Sequence, residues 1–205
     1  MEAELKLNLK SKENFRKLAF FLKCAGKFSL QKNYFFDTKD RLLRQHKLAL
    51  RIREDNNCFY LTAKGPRKES DTLHIREEHE CLIQELEAKS IISNTSNISG
   101  LNYEPLSWLE SELNRKLKEL NFIVFVSFSN KRYKRYYVIN GKKLFFELDE
   151  TEFANGSRSY ELEIEFNDEE EYKSYQESIK NIFKELNIEW TISTVSKLEQ
   201  AINLI

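Results

Sequence analysis

Cysteine is scarce in this chain of 205 residues, and the three present, Cys24, Cys58 and Cys81, are odd in number and form no Cys-x-x-Cys pair. That argues against a disulfide framework and a cysteine-bound structural zinc, and it suits a reducing compartment, so a cytoplasmic protein is expected. The three histidines, His46, His74 and His79, show no metal-ligand spacing. No apolar run approaches the ~20 residues that a membrane span needs, and no signal-peptide core is present at the start. An excess of one charge is missing too: 33 Lys and Arg balance 33 Asp and Glu. This balance argues against a general nucleic-acid coat and leaves room for local separation of sign. There is no low-complexity tract and no exact repeat.

What is present is a packable chain, 40% hydrophobic and 13% aromatic, of a length suited to one domain over residues 1–205. Its first ten residues read as a strand with period two: Ala3, Leu5, Leu7 and Leu9 on one face, Glu2, Glu4 and Lys6 on the other. Ser11 is a helix N-cap before Phe15, Leu18, Ala19 and Leu22, and Gly26 ends that run. A strand over 28–36 leads to Asp37-Thr38 and a short helical turn over 39–45. A hairpin follows, with Arg51 and Arg53 on its first strand, a turn at 55–57, and Lys64 on its second. Gly65-Pro66 closes it, and 67–72 reads as a polar loop. From Leu73 an alternating run sets Arg76, Glu78 and Glu80 on one face.

Residues 88–103 show little periodicity and read as a loop. Pro105 suits the first turn of a helix over 105–120, with Leu109, Leu113, Leu117 and Leu120 as its stripe. Strands over 123–128 and 132–138 precede an Asn140-Gly141 hairpin turn and a strand over 144–149. The sharpest alternation lies at 160–166, where Glu161, Glu163 and Glu165 oppose Tyr160, Leu162, Ile164 and Phe166. Asn167 caps a helix over 168–186, and 193–204 forms a short amphipathic helix carrying Lys197. Tyr133, Tyr136 and Tyr137 lie among bases but read as packing residues, as do Trp108 and Trp190.

About eight alternating strands with few helices point to an α+β fold: a closed or nearly closed eight-stranded antiparallel β-barrel, a tunnel, with helices packed outside. The polar faces decide which way it curls. Acids cluster on some strands (Glu2 and Glu4; Glu147 and Asp149; Glu161, Glu163 and Glu165) and bases on others (Arg51 and Arg53; Lys64; Arg132 or Arg135). A charged lumen explains this segregation better than a solvated surface does. Guanidinium groups suit phosphate oxygens, while carboxylates repel phosphate unless a divalent cation lies between them. Magnesium or manganese, bound by carboxylates and phosphates, follows from that combination.

These residues resemble the CYTH domain proteins of the triphosphate tunnel metalloenzyme superfamily. The resemblance rests on Glu2-Ala3-Glu4-Leu5-Lys6, an E-x-E-x-K signature; on Tyr34-Phe35-Phe36-Asp37-Thr38, Leu50-Arg51-Ile52-Arg53 and Leu61-Thr62-Ala63-Lys64; on Arg76-x-Glu78-x-Glu80, Phe146-Glu147-Leu148-Asp149 and Glu161-Leu162-Glu163-Ile164-Glu165; and on Ser196-Lys197. It implies a metal-dependent triphosphatase with Mg2+ or Mn2+ and a small linear triphosphate (inorganic, thiamine or nucleoside) as substrate. Membranes and nucleic acids are not expected as partners, and a homodimer suits such folds. By resemblance, metal would be held by Glu2, Glu4, Glu147, Asp149, Glu161, Glu163 and Glu165. Phosphates would be gripped by Lys6, Arg51, Arg53, Lys64, Arg76, Lys197 and a base of 131–135. There, counting back from Asp149 selects Arg135, whereas alternation with Lys134 selects Arg132. Glu78 and Glu80, with Glu2, Glu4 and Lys6, would complete the catalytic set. The alternatives are an adenylate cyclase of the class IV type, a non-catalytic module that binds triphosphate or polyphosphate, and a binder of RNA ends, against which the neutral charge counts.

Overall fold

The computed structural model describes residues 2–24, 26–68, 70 and 72–204, with the side chains of Glu2, Ser96, Asn97 and Ser99 outside the description. Strand β1 (Glu2–Asn8) buries Ala3, Leu5 and Leu7 as its alternation requires. Helix α1 (Lys12–Phe21) starts where the Ser11 hydroxyl accepts the Asn14 N–H. It ends short of Gly26, because Lys23 already turns to a φ of 54°. Strand β2 (Ser29–Thr38) leads into the single turn α2 (Leu42–Gln45), whose N–H groups are taken by Thr38 Oγ1 and the Asp37 carboxylate. Strands β3 (Ala49–Asp55) and β4 (Cys58–Lys64) form the expected hairpin, with Asn56 and Asn57 both left-handed.

Strands β5 (Leu73–Arg76) and β6 (Glu78–Ile83) are one alternating run in the sequence. The run breaks at Glu77, whose carbonyl turns aside to accept the Gly65 N–H at 2.9 Å. The expected loop at 88–103 is instead helix α3 (Glu85–Ser93) and a 3-10 turn, Thr95–Gly100, which bury Ala88, Ile91 and Ile98. The apolar residues of this polar segment are spaced too irregularly to register as a period. Helix α4 (Glu104–Leu113) stops at a left-handed Asn114, so Leu117 belongs to a separate 3-10 turn and not to a helix reaching 120.

Strand β7 (Phe122–Ile139) runs unbroken where two strands were expected. It turns at Asn140-Gly141 into β8 (Lys142–Phe153), which pairs with β9 (Arg158–Phe166). Helix α5 (Glu169–Glu185) is capped by Asp168, one residue later than expected, whose Oδ1 accepts the Glu171 N–H. A two-residue strand β10 (Thr191–Ile192) precedes α6 (Lys197–Ile202), which opens with a Ser196/Glu199 capping box.

Among the described residues the strands pair antiparallel in one curled sheet of ten, ordered β10-β1-β9-β8-β7-β2-β3-β4-β6, with β5 also on β1. The count exceeds eight because the 73–83 run is split and because β10 adds an edge. Two cores cover the outer face. One sets Phe15 and Leu18 of α1 and Ile179 and Phe183 of α5 against Leu5, Leu148 and Ile164. The other sets α2, α3 and α4 against Leu50, Ile52 and Leu61. A third core lies on the inner face, where Leu198, Ala201 and Ile202 of α6 pack on Phe35, Val126, Phe128 and Phe153. Helices were expected outside only; α6 is the exception. Among the described residues no helix is long and apolar enough to cross a membrane, and all three cysteines are free.

His79 joins α4 to β6: its ring stacks on Trp108 with centroids 4.6 Å apart and hydrogen-bonds Glu77 at 2.8 Å and Glu104 at 2.5 Å. Burial would lower its pKa, but the two carboxylates outweigh it and raise the value above 6.5. The protonated form is therefore the stabilising one, so its contribution is complete below pH 6.5 and lost as pH rises through the raised folded value. Urea midpoints for wild type should fall between pH 6 and pH 9 more steeply than those of His79→Gln; parallel slopes would show that the clamp is not protonation-linked.

Candidate functional site

The inner faces of the strands meet in a cavity of about 100 Å³. Its lining includes Lys6 (β1), Arg51 and Arg53 (β3), Lys64 (β4), Arg76 (β5), Arg132 (β7) and Lys197 (α6), against the carboxylates of Glu4, Glu78 and Glu163. Among the described residues that line it, seven are cationic and three acidic, and further carboxylates (Glu80, Glu147, Asp149 and Glu161) pair with the cations as well. The period of two places them: each is in phase with its neighbours on the strand, and the opposite phase is buried outside in the two outer cores.

Register puts like charges directly across from one another. Glu4 faces Glu165, Glu163 faces Glu147, and Glu161 faces Asp149. Such pairs are unfavourable without cations between them. Arg132 supplies one: it donates to Asp149 through Nε at 2.9 Å and Nη2 at 2.6 Å, to Glu163 at 2.6 Å, and also contacts Glu147. Lys197 reaches Asp149 at 2.9 Å, Glu161 at 2.8 Å and Glu163 at 2.6 Å. Lys6 bridges Glu4 at 2.5 Å and Glu163 at 2.8 Å. On the far wall Glu80 takes Arg53 at 2.9 Å and Arg51 at 3.4 Å, and Glu78 pairs with Lys64.

For the most buried of these charges, burial and the ion partners pull in opposite directions. Burial lowers the Lys6 pKa, yet Glu163 and Glu4 outweigh it and push the value up to about 12. Arg132 and Lys197 are raised further by the carboxylates around them. Glu163 is held well below the usual carboxylate range by Lys197, Lys6 and Arg132 in spite of its burial, and Asp149 and Glu4 are lowered likewise. Arg51 goes the other way, down to about 10, because burial and Arg53 outweigh Glu78 and Glu80. Glu147 is raised: burial, Glu163 and Asp149 prevail over Arg132. Glu165 is raised by burial and by Glu147 and Glu4.

A family model for the CYTH domain matches residues 1–199. The chain belongs to the CYTH domain family. A stretch of 67 residues is 42% identical to YjbK of Bacillus subtilis strain 168, a candidate triphosphatase by name; the match spans 32% of this chain and 35% of YjbK. Among solved structures, HpAC1 from Hippeastrum superposes with a TM-score of 0.87 and 29% identity over 99% of this chain and 96% of its own. HpAC1 is described as a candidate adenylyl cyclase with a dominant triphosphatase activity. BH2851 of Bacillus halodurans, described as a candidate adenylate cyclase, gives a TM-score of 0.73 and 25% identity over 98% of both chains.

In this CYTH domain most of the expected site residues converge. The choice between Arg132 and Arg135 is settled by strand phase. Arg132 lines the cavity, while Arg135, on the opposite face, donates to the Lys23 and Lys134 carbonyls. Arg135 is therefore removed from the phosphate-gripping set. Glu165 shares the phase of Glu163 but is exposed. Glu2 faces Arg76 in register, and its side chain lies outside the described residues. Glu161 is held by the Ser193 hydroxyl at 3.1 Å, the Gln200 amide at 2.7 Å and Lys197. These contacts make it an anchor for α6.

Several lining residues escaped a reading keyed to charge. Gln31, Asn33 and Asn130 are buried amides of the cavity wall, and Thr62 relays between Arg51 and Glu80. Their signal was phase alone: 31 and 33 lie in step with 35, and 62 with 64.

Among the described residues no three His, Cys, Asp or Glu side chains are gathered to hold a metal ion. The donor set nonetheless fits a hard divalent cation: its oxygens are carboxylates, and the opposed pairs Glu4–Glu165 and Glu147–Glu163 gain from a positive charge between them.

Arg132→Leu should lower unfolding free energy by about 3–5 kcal/mol at pH 7, since three buried carboxylates lose their counter-charge. Asp149 and Glu163 have depressed folded pKa values, so their contribution is complete above the ordinary 3.8 and 4.5 and disappears as pH falls through the folded values. The gap between variant and wild type should therefore narrow in acid. A gap that persists unchanged at pH 3 would contradict the ion network as its cause.

Replacing the anchored and the exposed glutamate separates their roles. Glu161→Ala should destabilise by about 3 kcal/mol or more, and Glu165→Ala by less than about 0.5 kcal/mol. Equal losses in urea denaturation would remove the distinction.

Proposed function

We propose that this CYTH domain hydrolyses the terminal phosphoanhydride bond of a small linear triphosphate with Mg2+ or Mn2+, and that the curled sheet acts as a tunnel whose charged lumen is the ionic cavity. The observation that carries the reading is the set of seven cations from six elements, facing one space in which three carboxylates line the wall among the described residues. That is a polyanion site; a row of phosphates would replace the internal carboxylates as partners of Arg51, Arg53, Lys64, Arg76 and Arg132. The pairing of β5 with β1 and of β6 with β4, one residue apart, supports the tunnel.

Glu4, Glu147, Glu163 and Glu165, with Glu2, would hold the cation. When bound it neutralises phosphate charge and polarises the phosphoryl oxygens. The chain's own groups then do the positioning. Arg132 and Lys197 hold the charge of the transferring phosphoryl group, and Asn33 offers a neutral donor to a non-bridging oxygen. Arg51, Arg53 and Lys64 hold the departing diphosphate, which leaves with the electron pair of the broken P–O bond. Water attacks the terminal phosphorus and passes its proton to a carboxylate of the wall, Glu78 or Glu4. Positioning and charge stabilisation supply most of the catalysis in such transfers, because the loose transition state needs little from a base.

The likeness to chains described as cyclases favours one second reading, attack by a ribose hydroxyl on the α-phosphate. The products differ: a cyclase releases diphosphate and a cyclic nucleotide, a triphosphatase orthophosphate.

Orthophosphate release should be measured from inorganic triphosphate, thiamine triphosphate and ATP with Mg2+ or Mn2+. We expect turnover of at least one, abolished by EDTA and lowered ~100-fold or more in Glu4→Gln. Tight binding without turnover would replace the enzyme by a binding module, and diphosphate release from ATP by a cyclase.

A further inference from the structure

His74 is buried two residues before Arg76 on β5 and in the same phase, yet it does not line the ionic cavity itself. Its Nε2 stands 2.6 Å from the carbonyl oxygen of Ser193. A carbonyl oxygen only accepts, so Nε2 carries the proton and donates it. Ser193 is buried as well, and it belongs to the segment between β10 and α6, the helix that brings Lys197 into the ionic cavity. Without His74 the Ser193 carbonyl would be left unsatisfied away from water, which the segment can avoid only by moving.

Three successive carbonyls of this segment are each held by a side chain. His74 holds Ser193, Arg67 donates to Thr194 at 2.9 Å, and the Gln200 amide donates to Val195 at 3.3 Å. Arg67 also reaches the Leu73 carbonyl at 3.4 Å and so ties the segment to the strand that carries His74. The Ser193 N–H donates to the Lys6 carbonyl at 2.8 Å, and its hydroxyl lies 3.1 Å from both Glu161 and the Val195 carbonyl. Of the three side chains His74 alone is buried, so its bond meets the least competition from water. These ties matter because the ion pairs of Lys197 change during the reaction. Its ammonium is held by Asp149, Glu161 and Glu163 in the protein alone, whereas a bound cation would draw on Glu163 and phosphoryl oxygens would take its place. The carbonyls of 193–195 keep their partners through that exchange, since His74, Arg67 and Gln200 stand outside the lining of the ionic cavity.

Resting on the triphosphatase reading above, we infer that His74 is a positioning residue: through the Ser193 carbonyl it sets the start of α6, and with it the place of Lys197 against the transferring phosphoryl group. It touches neither substrate nor cation and acts through Lys197.

The test is a double-variant cycle in the full chain, read as kcat and KM with Mg2+ for whichever of inorganic triphosphate, thiamine triphosphate and ATP wild type turns over fastest. His74→Leu keeps the bulk and removes the donor. His74→Asn stays polar but is too short to reach the carbonyl, so the result does not hang on the folding of one variant. His74→Gln restores an N–H near the position of Nε2. The first two should lower kcat about tenfold with KM within about twofold, as misplacing a group by about 1 Å can do, and His74→Gln should recover most of the loss. In the slow Lys197→Ala background the same substitutions should change kcat by less than about twofold, because the group through which His74 acts is gone. A loss of folded protein would lower kcat by the same factor in both backgrounds. Amide exchange over 193–200 should quicken in His74→Leu and His74→Asn while α5 stays protected, a readout that needs no turnover. Equal losses in the two backgrounds, no recovery in His74→Gln, or exchange unchanged over 193–200 would each overturn the positioning role while leaving the triphosphatase standing. Inertness of wild type toward all three substrates would overturn both.

Discussion

The ion network centred on Glu163 is the constraint on which the rest of the structure depends. One buried carboxylate is shared by Lys6 of β1, Arg132 of β7 and Lys197 of α6, and Arg132 and Lys197 meet again at Asp149. Burying charges is unfavourable unless each is paired, and partial pairing is worse than none. The network is complete only when β1, β9, β8 and β7 lie in this register and α6 has entered the concave side. A slip of one residue on any strand would send its charges into an apolar core and its leucines into the cavity. Ionic pairing and hydrophobic burial thus select the same arrangement.

The sheet is covered on both faces, by different means. Outside, α1 and α5 cover one half and α2 to α4 the other, each laying an apolar stripe on the leucine and isoleucine phase of the strands. Inside, α6 is amphipathic in an unusual sense. Its Leu198 and Ile202 join the phenylalanines at one end of the concave face, while Lys197 and Gln200 reach the acids beside them. The same short helix therefore seals apolar surface and supplies a cation to the site.

Carboxylates pair six of the seven cations of the cavity wall among the described residues: Lys6, Arg51, Arg53, Lys64, Arg132 and Lys197. This lets the positive groups lie close together and reduces their mutual repulsion, which Arg51 still feels from Arg53. The pairing also explains why acids sit in opposed pairs across β1, β9 and β8. The repulsion stored there is relieved by Arg132 and the lysines in the protein alone, and a divalent cation suits the same place.

The strand alternation was legible from residues 2–9, 48–64 and 160–166, because a period of two follows from the pleat itself and needs no tertiary information. The assignment of Glu4, Lys6, Arg51, Arg53, Lys64 and Glu163 to one face followed from it directly. Sparse patterns were not legible: α3 with its two buried residues, the left-handed Asn114 that ends α4, and the split at Glu77 all depend on what packs nearby. Arg132 and Arg135 could not be separated by counting, since only the pairing of β7 with β8 fixes the phase of a strand without clean alternation. Glu161 carries the same charge and phase as Glu163, yet only the entry of α6 made it an anchor. By itself the sequence determined which residues share a strand face, through local geometry; the tertiary structure decided which faces meet, because buried charges find partners on other elements, 17 residues away for Arg132 and Asp149 and 157 for Lys6 and Glu163.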